Sequence, residues 1–160
     1  MALASTNLSA RACFFGSSDF RAAIEVVYTK QVVEIEGYTP LPRTRSDFLG
    51  LIYIQGRIVP LLDVYELFTR TGGGTPAASS VDASALSKAV IIHHQQYEFA
   101  LATERVLGFV GLPKDITPAK VPSVLKRFVI GQVPFDDQQT ALLINVPELV
   151  STLSQRLEVV

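Results

Sequence analysis

Few residues of this 160-residue chain combine the types and spacing that chemistry needs. Its two histidines, His93 and His94, are adjacent in a β-prone run. Neighbouring strand residues face opposite sides, so the two rings do not converge on one metal, and no cysteine stands near them. The single cysteine, Cys13, precedes two phenylalanines and reads as a small buried hydrophobe. As a nucleophile it would need a histidine base, and nothing in the spacing supplies one. Gly72, Gly73 and Gly74 lack the Lys-Ser or Lys-Thr that follows a phosphate-binding loop. Arg43 and Arg45 make a small basic spot that reads as solvated surface. Asp63 could serve as an acid or base, but it stands directly before an apolar-periodic stretch, 64–68, with Glu66 three residues on. A helix N-cap explains it. Glu34 reads equally as a general base, a partner contact or part of a solvated strand face. The residues therefore suggest no enzyme, no cofactor and no metal.

The totals exclude further classes. Formal net charge is −1, with seven basic and seven acidic residues over 1–70 and seven and eight over 71–160. Neither half carries the positive excess of a nucleic-acid binder. One cysteine permits no internal disulfide and fits a reducing compartment. The first dozen residues have no basic region followed by a long apolar run, and no run of about 18 apolar residues exists. No direct membrane insertion is expected, and the chain reads as cytoplasmic.

The organising stretch is 48–68, FLGLIYIQGRIVPLLDVYELF. Residues 51–54 form one apolar run and 57–62 another, joined by Gln55-Gly56, a two-residue turn signal in which Gly56 accepts positive φ. Along the first run Leu51 and Tyr53 share one face, Ile52 and Ile54 the other. Pro60 argues for an edge strand or a bulge. Leu62 and Leu67 take the two positions of a hydrophobic staple around the Asp63 cap. The unit recurs at 128–149, FVIGQVPFDDQQTALLINVPEL, where Asn145 is the cap, Pro147 lies in the first helical turn, Glu148 stands three residues on, and Ile144 and Leu149 repeat the staple. Leu61-Leu62-Asp63-Val64 is answered by Leu142-Leu143 and, after one extra residue, Asn145-Val146. An internal repeat follows.

The other segments repeat too. Short strands are expected at 12–15 and 20–24, a helical turn or two at 25–31, a strand at 32–38 and an irregular proline-containing connection at 39–47. Residues 69–87 hold three glycines in an Ala- and Ser-rich run and read as a mobile linker. The second half offers strands at 88–93 and 97–103, a stretch 104–107 replacing the earlier helical turn, a strand at 108–112 and an irregular connection at 114–122. Phe20-Arg21-Ala22-Ala23-Ile24 matches Tyr97-Glu98-Phe99-Ala100-Leu101 in type. The fold class expected is all-β with short helices, as two small β-barrels side by side within one domain. Subdomain 1 covers about 11–68, the linker 69–87, subdomain 2 about 88–150, and a C-terminal helix and tail about 146–160.

At this point 48–68 resembles the signature of the CheW-like proteins, the coupling proteins of bacterial chemotaxis. Gly50, Gly56, Val59, Pro60, Asp63 and Phe68 match it. Val32-Val33-Glu34-Ile35 resembles the family's segment before a loop with prolines, here Pro40 and Pro42, and Glu104-Arg105-Val106-Leu107-Gly108 resembles another recurrent stretch. The resemblance implies two intertwined five-stranded SH3-like barrels. It also implies a non-enzymatic adaptor that joins the cytoplasmic tips of chemoreceptors to the regulatory domain of a CheA-type histidine kinase, by helix-in-groove recognition of the receptor. It places Val32, Glu34, Ile35, Gly50, Gln55 and Arg57 at the protein-binding face, with Gly56, Pro60, Asp63 and Asn145 structural. Gln55 departs from the family, which usually has arginine there as partner of the upstream glutamate. Arg57 is the expected substitute partner for Glu34. The departure leaves a second reading, a tandem SH3-like module of a type IV pilus or other regulatory system with a different partner.

Overall fold

Alternating apolar residues and tight turns build ten short strands among the described residues. The computed structural model describes residues 11–16, 20–40, 48–63, 86–114, 116–121, 123–136 and 138–158. In chain order the strands are β1 (Arg11–Gly16), β2 (Arg21–Glu25), β3 (Thr29–Glu34), β4 (Phe48–Ile54), β5 (Arg57–Asp63), β6 (Lys88–His94), β7 (Tyr97–Thr103), β8 (Arg105–Gly111), β9 (Val129–Pro134) and β10 (Thr140–Ile144). Helix α1 is Val146–Glu158, and 3-10 turns occupy Val26–Tyr28 and Ser123–Phe128. The short helix expected at 64–68 and most of the linker expected at 69–87 lie outside the described residues.

Two five-stranded sheets result, in the orders β8-β1-β2-β10-β9 and β3-β6-β7-β5-β4. Each is closed by one bridge. Thr39, beyond β3, pairs with Leu51 of β4 through two backbone hydrogen bonds of 2.8 and 2.9 Å, and Thr117, beyond β8, pairs with Gln132 of β9. We call the first sheet barrel 1 and the second barrel 2. The arrangement expected from the repeat alone, one barrel per half and side by side, is corrected here. Each barrel takes its opening hairpin from one half of the chain and its other three strands from the other half. The barrels are intertwined, as the family resemblance implies.

Exchanging the halves maps one strand order onto the other, and even the irregularities correspond. Lys30 is the extra residue of β3 against β6, as Leu107 is of β8 against β1. Leu49 is the extra residue of β4 against β5, as Ile130 is of β9 against β10. Leu61 faces Gly50 and Ala100, and Leu143 faces Gly131 and Ala23. Leu61-Leu62-Asp63-Val64 therefore matches Leu143-Ile144-Asn145-Val146 with no extra residue, which corrects the offset read from the sequence. Residues 104–107 are also corrected: β8 begins at Arg105, because the Leu107 bulge hides its period.

Three apolar clusters follow from the strand alternation. Ile52, Ile54, Val59, Leu61, Ala89 and Ile91 fill barrel 2. Phe14, Ala23, Val133 and Leu143 fill barrel 1, with the Phe135 ring tilted against that of Phe14 at 5.3 Å between centroids. The opposite faces, including Cys13, Phe15, Ile24, Val90, Ile92 and Leu101, meet between the barrels and are capped by Val146, Leu149 and Val150 of α1. Pro60 does not mark an edge. β5 lies between β4 and β7, and its parallel ladder with β7 starts at Leu61, one residue past the missing N–H.

Asn145 caps α1: its side-chain oxygen accepts the Glu148 N–H at 3.2 Å. The reciprocal half of a capping box is not made. The Asn145 N–H donates to the Phe128 carbonyl, and Glu148 pairs with Arg127 at 3.3 Å. Asn145→Ala leaves that helical N–H without its partner. The expected loss is about 1 kcal/mol, read as a shift of the denaturant midpoint with unchanged slope.

Candidate functional site

The site begins with the seam of barrel 2. β3 and β4 are the two ends of its sheet, and among the described residues they are pinned together at Thr39 and Leu51. The pinning needs Gly50. A Cβ there would lie 2.2 Å from the Thr39 oxygen and 2.8 Å from the Pro40 Cα, and its φ of +153° suits glycine. Beyond the pin the edges part. They leave a groove of about 560 Å³ lined by Gln31, Val32, Glu34 and Ile35 on one side and by Tyr53 and Gln55 on the other. Four of the six residues expected at a binding face, Val32, Glu34, Ile35 and Gln55, are thus brought together. Gly50 stands outside the groove and acts through shape. Arg57 lies across the turn.

Local geometry explains each placement. Gln55 (φ 47°) and Gly56 (φ 82°) both have positive φ, the requirement of a type I′ hairpin turn, so the Gln55 side chain is presented at the tip. Ile35 leans on the barrel 2 interior and Val32 on the core between the barrels, each half-buried. Tyr53 and Ile58 form a cross-strand pair on the outer face and are 76% and 68% exposed, an apolar patch continuous with the groove.

The expected pairing of Arg57 with Glu34 is not made. Glu34 is bonded to Lys88, directly opposite it on β6, at 3.2 Å. Arg57 directs its guanidinium at Glu98 of β7, at 2.8 and 3.3 Å, and Lys30 reaches the same carboxylate at 2.9 Å. The cause is topological, since β7 lies alongside β5 and brings Glu98 beside Arg57. Burial raises the Glu98 pKa, but the bonds and charges of Lys30 and Arg57 outweigh it and hold the carboxyl below its ordinary value. Glu98 and Lys30 were missed in the sequence. The available signal was a charged residue second in each matched strand, Arg21 in one half and Glu98 in the other.

Glu98→Gln is expected to cost about 1 kcal/mol at neutral pH. Because the folded carboxyl is depressed, its contribution is present above the ordinary glutamate range and is lost as pH falls through the folded value, so the variant has a flatter acid limb in thermal melts. Double-mutant cycles should give a coupling between Arg57 and Glu98 and none between Arg57 and Glu34.

The remaining candidates do not converge. Asp63 is buried at the end of β5 and is engaged in an interaction, while the helix it was expected to cap lies outside the described residues. His93 is exposed, and His94 meets Tyr28 edge-on at 5.4 Å. Cys13 is buried between the barrels, and desolvation pushes its thiol up to about 11. Arg43, Arg45 and the glycine run at 72–74 lie outside the described residues. Among the described residues no group of three or more His, Cys, Asp or Glu could hold a metal, and no helix is long and apolar enough to cross a membrane.

Comparisons with known proteins agree with this architecture. The crystal structure of the scaffolding protein TtCheW from Thermoanaerobacter tengcongensis superposes with a TM-score of 0.68, covering 86% of this chain and 89% of that one at 18% identity, a likeness of fold. No curated protein matches in sequence. The model of the CheW-like domain matches residues 12–154, and the chain, with its paired closing bridges and exchanged strands, belongs to the CheW-like family.

Proposed function

We propose that this chain is a non-enzymatic adaptor of a chemotaxis or chemotaxis-like pathway, coupling chemoreceptor tips to the regulatory domain of a CheA-type histidine kinase through different faces. It works in the cytoplasm, beside membrane receptors that it reaches through its partners. Membership in a scaffold family supports the reading. The observation that carries it is the groove at the barrel 2 seam, which gathers Val32, Glu34, Ile35 and Gln55 beside the exposed Tyr53. Half-buried apolar side chains set among polar groups suit protein recognition.

Calorimetric titration with the kinase regulatory domain, and separately with a receptor-tip fragment, tests the reading. Saturable micromolar binding of each is expected, and binding of the partner seated at the groove should be weakened at least tenfold by Tyr53→Ala combined with Glu34→Lys. Both positions are exposed and the only ion pair lost among the described residues is the surface one of Glu34 with Lys88, so the thermal midpoint should fall by no more than a few degrees. A folded protein that binds neither partner overturns the reading. A second reading, a tandem SH3-like module of a type IV pilus or related system, is favoured by one feature: Gln55 replaces the usual arginine, and Glu34 takes Lys88 instead.

A further inference from the structure

We infer that the open seam of barrel 2 is a strand-addition site, which takes an extended, lysine- or arginine-bearing segment of a partner between β3 and β4. The inference rests on the adaptor reading for the partner's identity and on the seam itself for its chemistry. Ladder phase fixes which backbone groups face the groove. The Ile35 N–H donates to Ser87 on the β6 side, at 2.8 Å. By strand alternation along β3 the backbone groups of Val32 and Glu34 then point into the seam. On the facing edge Leu51 gives both its N–H and its carbonyl to Thr39, so those of Tyr53, two residues on, point the same way without a strand opposite. The seam-lining segment 31–37 spans about 20 Å at ~3.3 Å per residue, room for about six residues of added strand.

The side chains select the occupant. Val33 and Ile35 face the barrel interior and are only half-covered, whereas Glu34 and Glu36 face outward and are exposed. An added strand would lay apolar residues over Val33 and Ile35 and present basic residues to Glu34 and Glu36. Glu36 forms no ion pair among the described residues, and the two carboxylates oppose pairing of this edge with a second copy of itself. A helical partner is excluded from this seat because its backbone groups are already bonded to one another. A helical receptor tip would therefore dock elsewhere, and the segment comes from the other partner.

The test begins with the full chain, 15N-labelled, and the peptide acetyl-Lys-Val-Lys-Val-Lys-amide. Saturable shifts are expected at the amides of Val32, Glu34 and Tyr53, with exchange at these amides slowed at least fivefold. A peptide N-methylated at alternate residues, or one with glutamate for lysine, should bind at least tenfold more weakly. The exposed double variant Glu34→Lys with Glu36→Lys should reverse the charge preference. Equal binding of the N-methylated peptide, shifts elsewhere, or no shift overturns the inference. The same amides are then followed with the kinase regulatory domain bound. Binding that leaves their exchange unchanged overturns strand addition while the adaptor reading stands. A peptide response without kinase or receptor binding supports the seam and fails the adaptor reading.

Discussion

Gly50→Val is expected to destabilise the protein by roughly 3–5 kcal/mol and to erase the seam groove. Two costs combine. The backbone at Gly50 holds φ at +153°, which a β-branched residue adopts only with strain of about 1–3 kcal/mol. The new Cβ would also meet backbone atoms, the Thr39 oxygen at 2.2 Å and the Pro40 Cα at 2.8 Å, neither of which is the free end of a side chain. Relief requires the Thr39 to Leu51 bridge to open, and that bridge closes β3 onto β4 among the described residues. Gly56→Ala is the matched control. It has positive φ but no atom within 4 Å of the added Cβ, so it costs only about 1 kcal/mol. Gly131→Val lies between them: its Cβ approaches the movable Ile116 Cγ2 at 2.5 Å and the Thr117 oxygen at 2.7 Å. Chemical denaturation should rank the three as Gly50, Gly131, Gly56. Equal losses at Gly50 and Gly56 would show that φ alone matters and that the close approach does not.

Local signals carried most of the elements. The Gln55-Gly56 turn, the Asn145 cap and the matching of 20–24 with 97–101 are all properties of a few adjacent residues, and all are present in the structure. What failed depends on distant pairing. Alternation at 51–54 tells which residues share a face, but not which strand lies alongside. Hence the exchange of hairpins between halves was invisible, as was Glu98 as the partner of Arg57. Bulges account for the misplaced starts of β3 and β8, because the extra residues Lys30 and Leu107 break the period of two. Of the candidate site, the half on β3 and the turn was legible from the family's motif. Alternation put Tyr53 on the same strand face as Leu51 but could not say whether that face is covered. It is exposed because β4 lies at the edge of the barrel 2 sheet with that face turned outward, a fact of topology.

That topology has a second large consequence. A chain cut between Pro76 and Ala77 should give two fragments that are each unfolded alone and that assemble one-to-one into the native fold when mixed. Four of the ladders that build the barrels, β1 with β8, β2 with β10, β3 with β6 and β5 with β7, run between the halves. Within the first half the ladders that remain are two separate hairpins, β1 with β2 and β4 with β5, and an isolated hairpin is marginal in water. The core between the barrels is divided likewise: Phe15 and Ile24 come from one half, Ile92, Leu101 and Leu149 from the other. The cut itself removes little. Asp63 and Lys88 flank the end of β7 at Ala102 and Thr103, about 10 Å apart by two inter-strand spacings. Joining ends so close in space, the covalent connection raises the effective concentration of one half for the other, typically to the millimolar range. Reassembly should restore dispersed amide resonances and a cooperative, concentration-dependent melt. A dispersed spectrum from either half alone would mean that one half can close a barrel by itself, and the intertwined account of stability would fall.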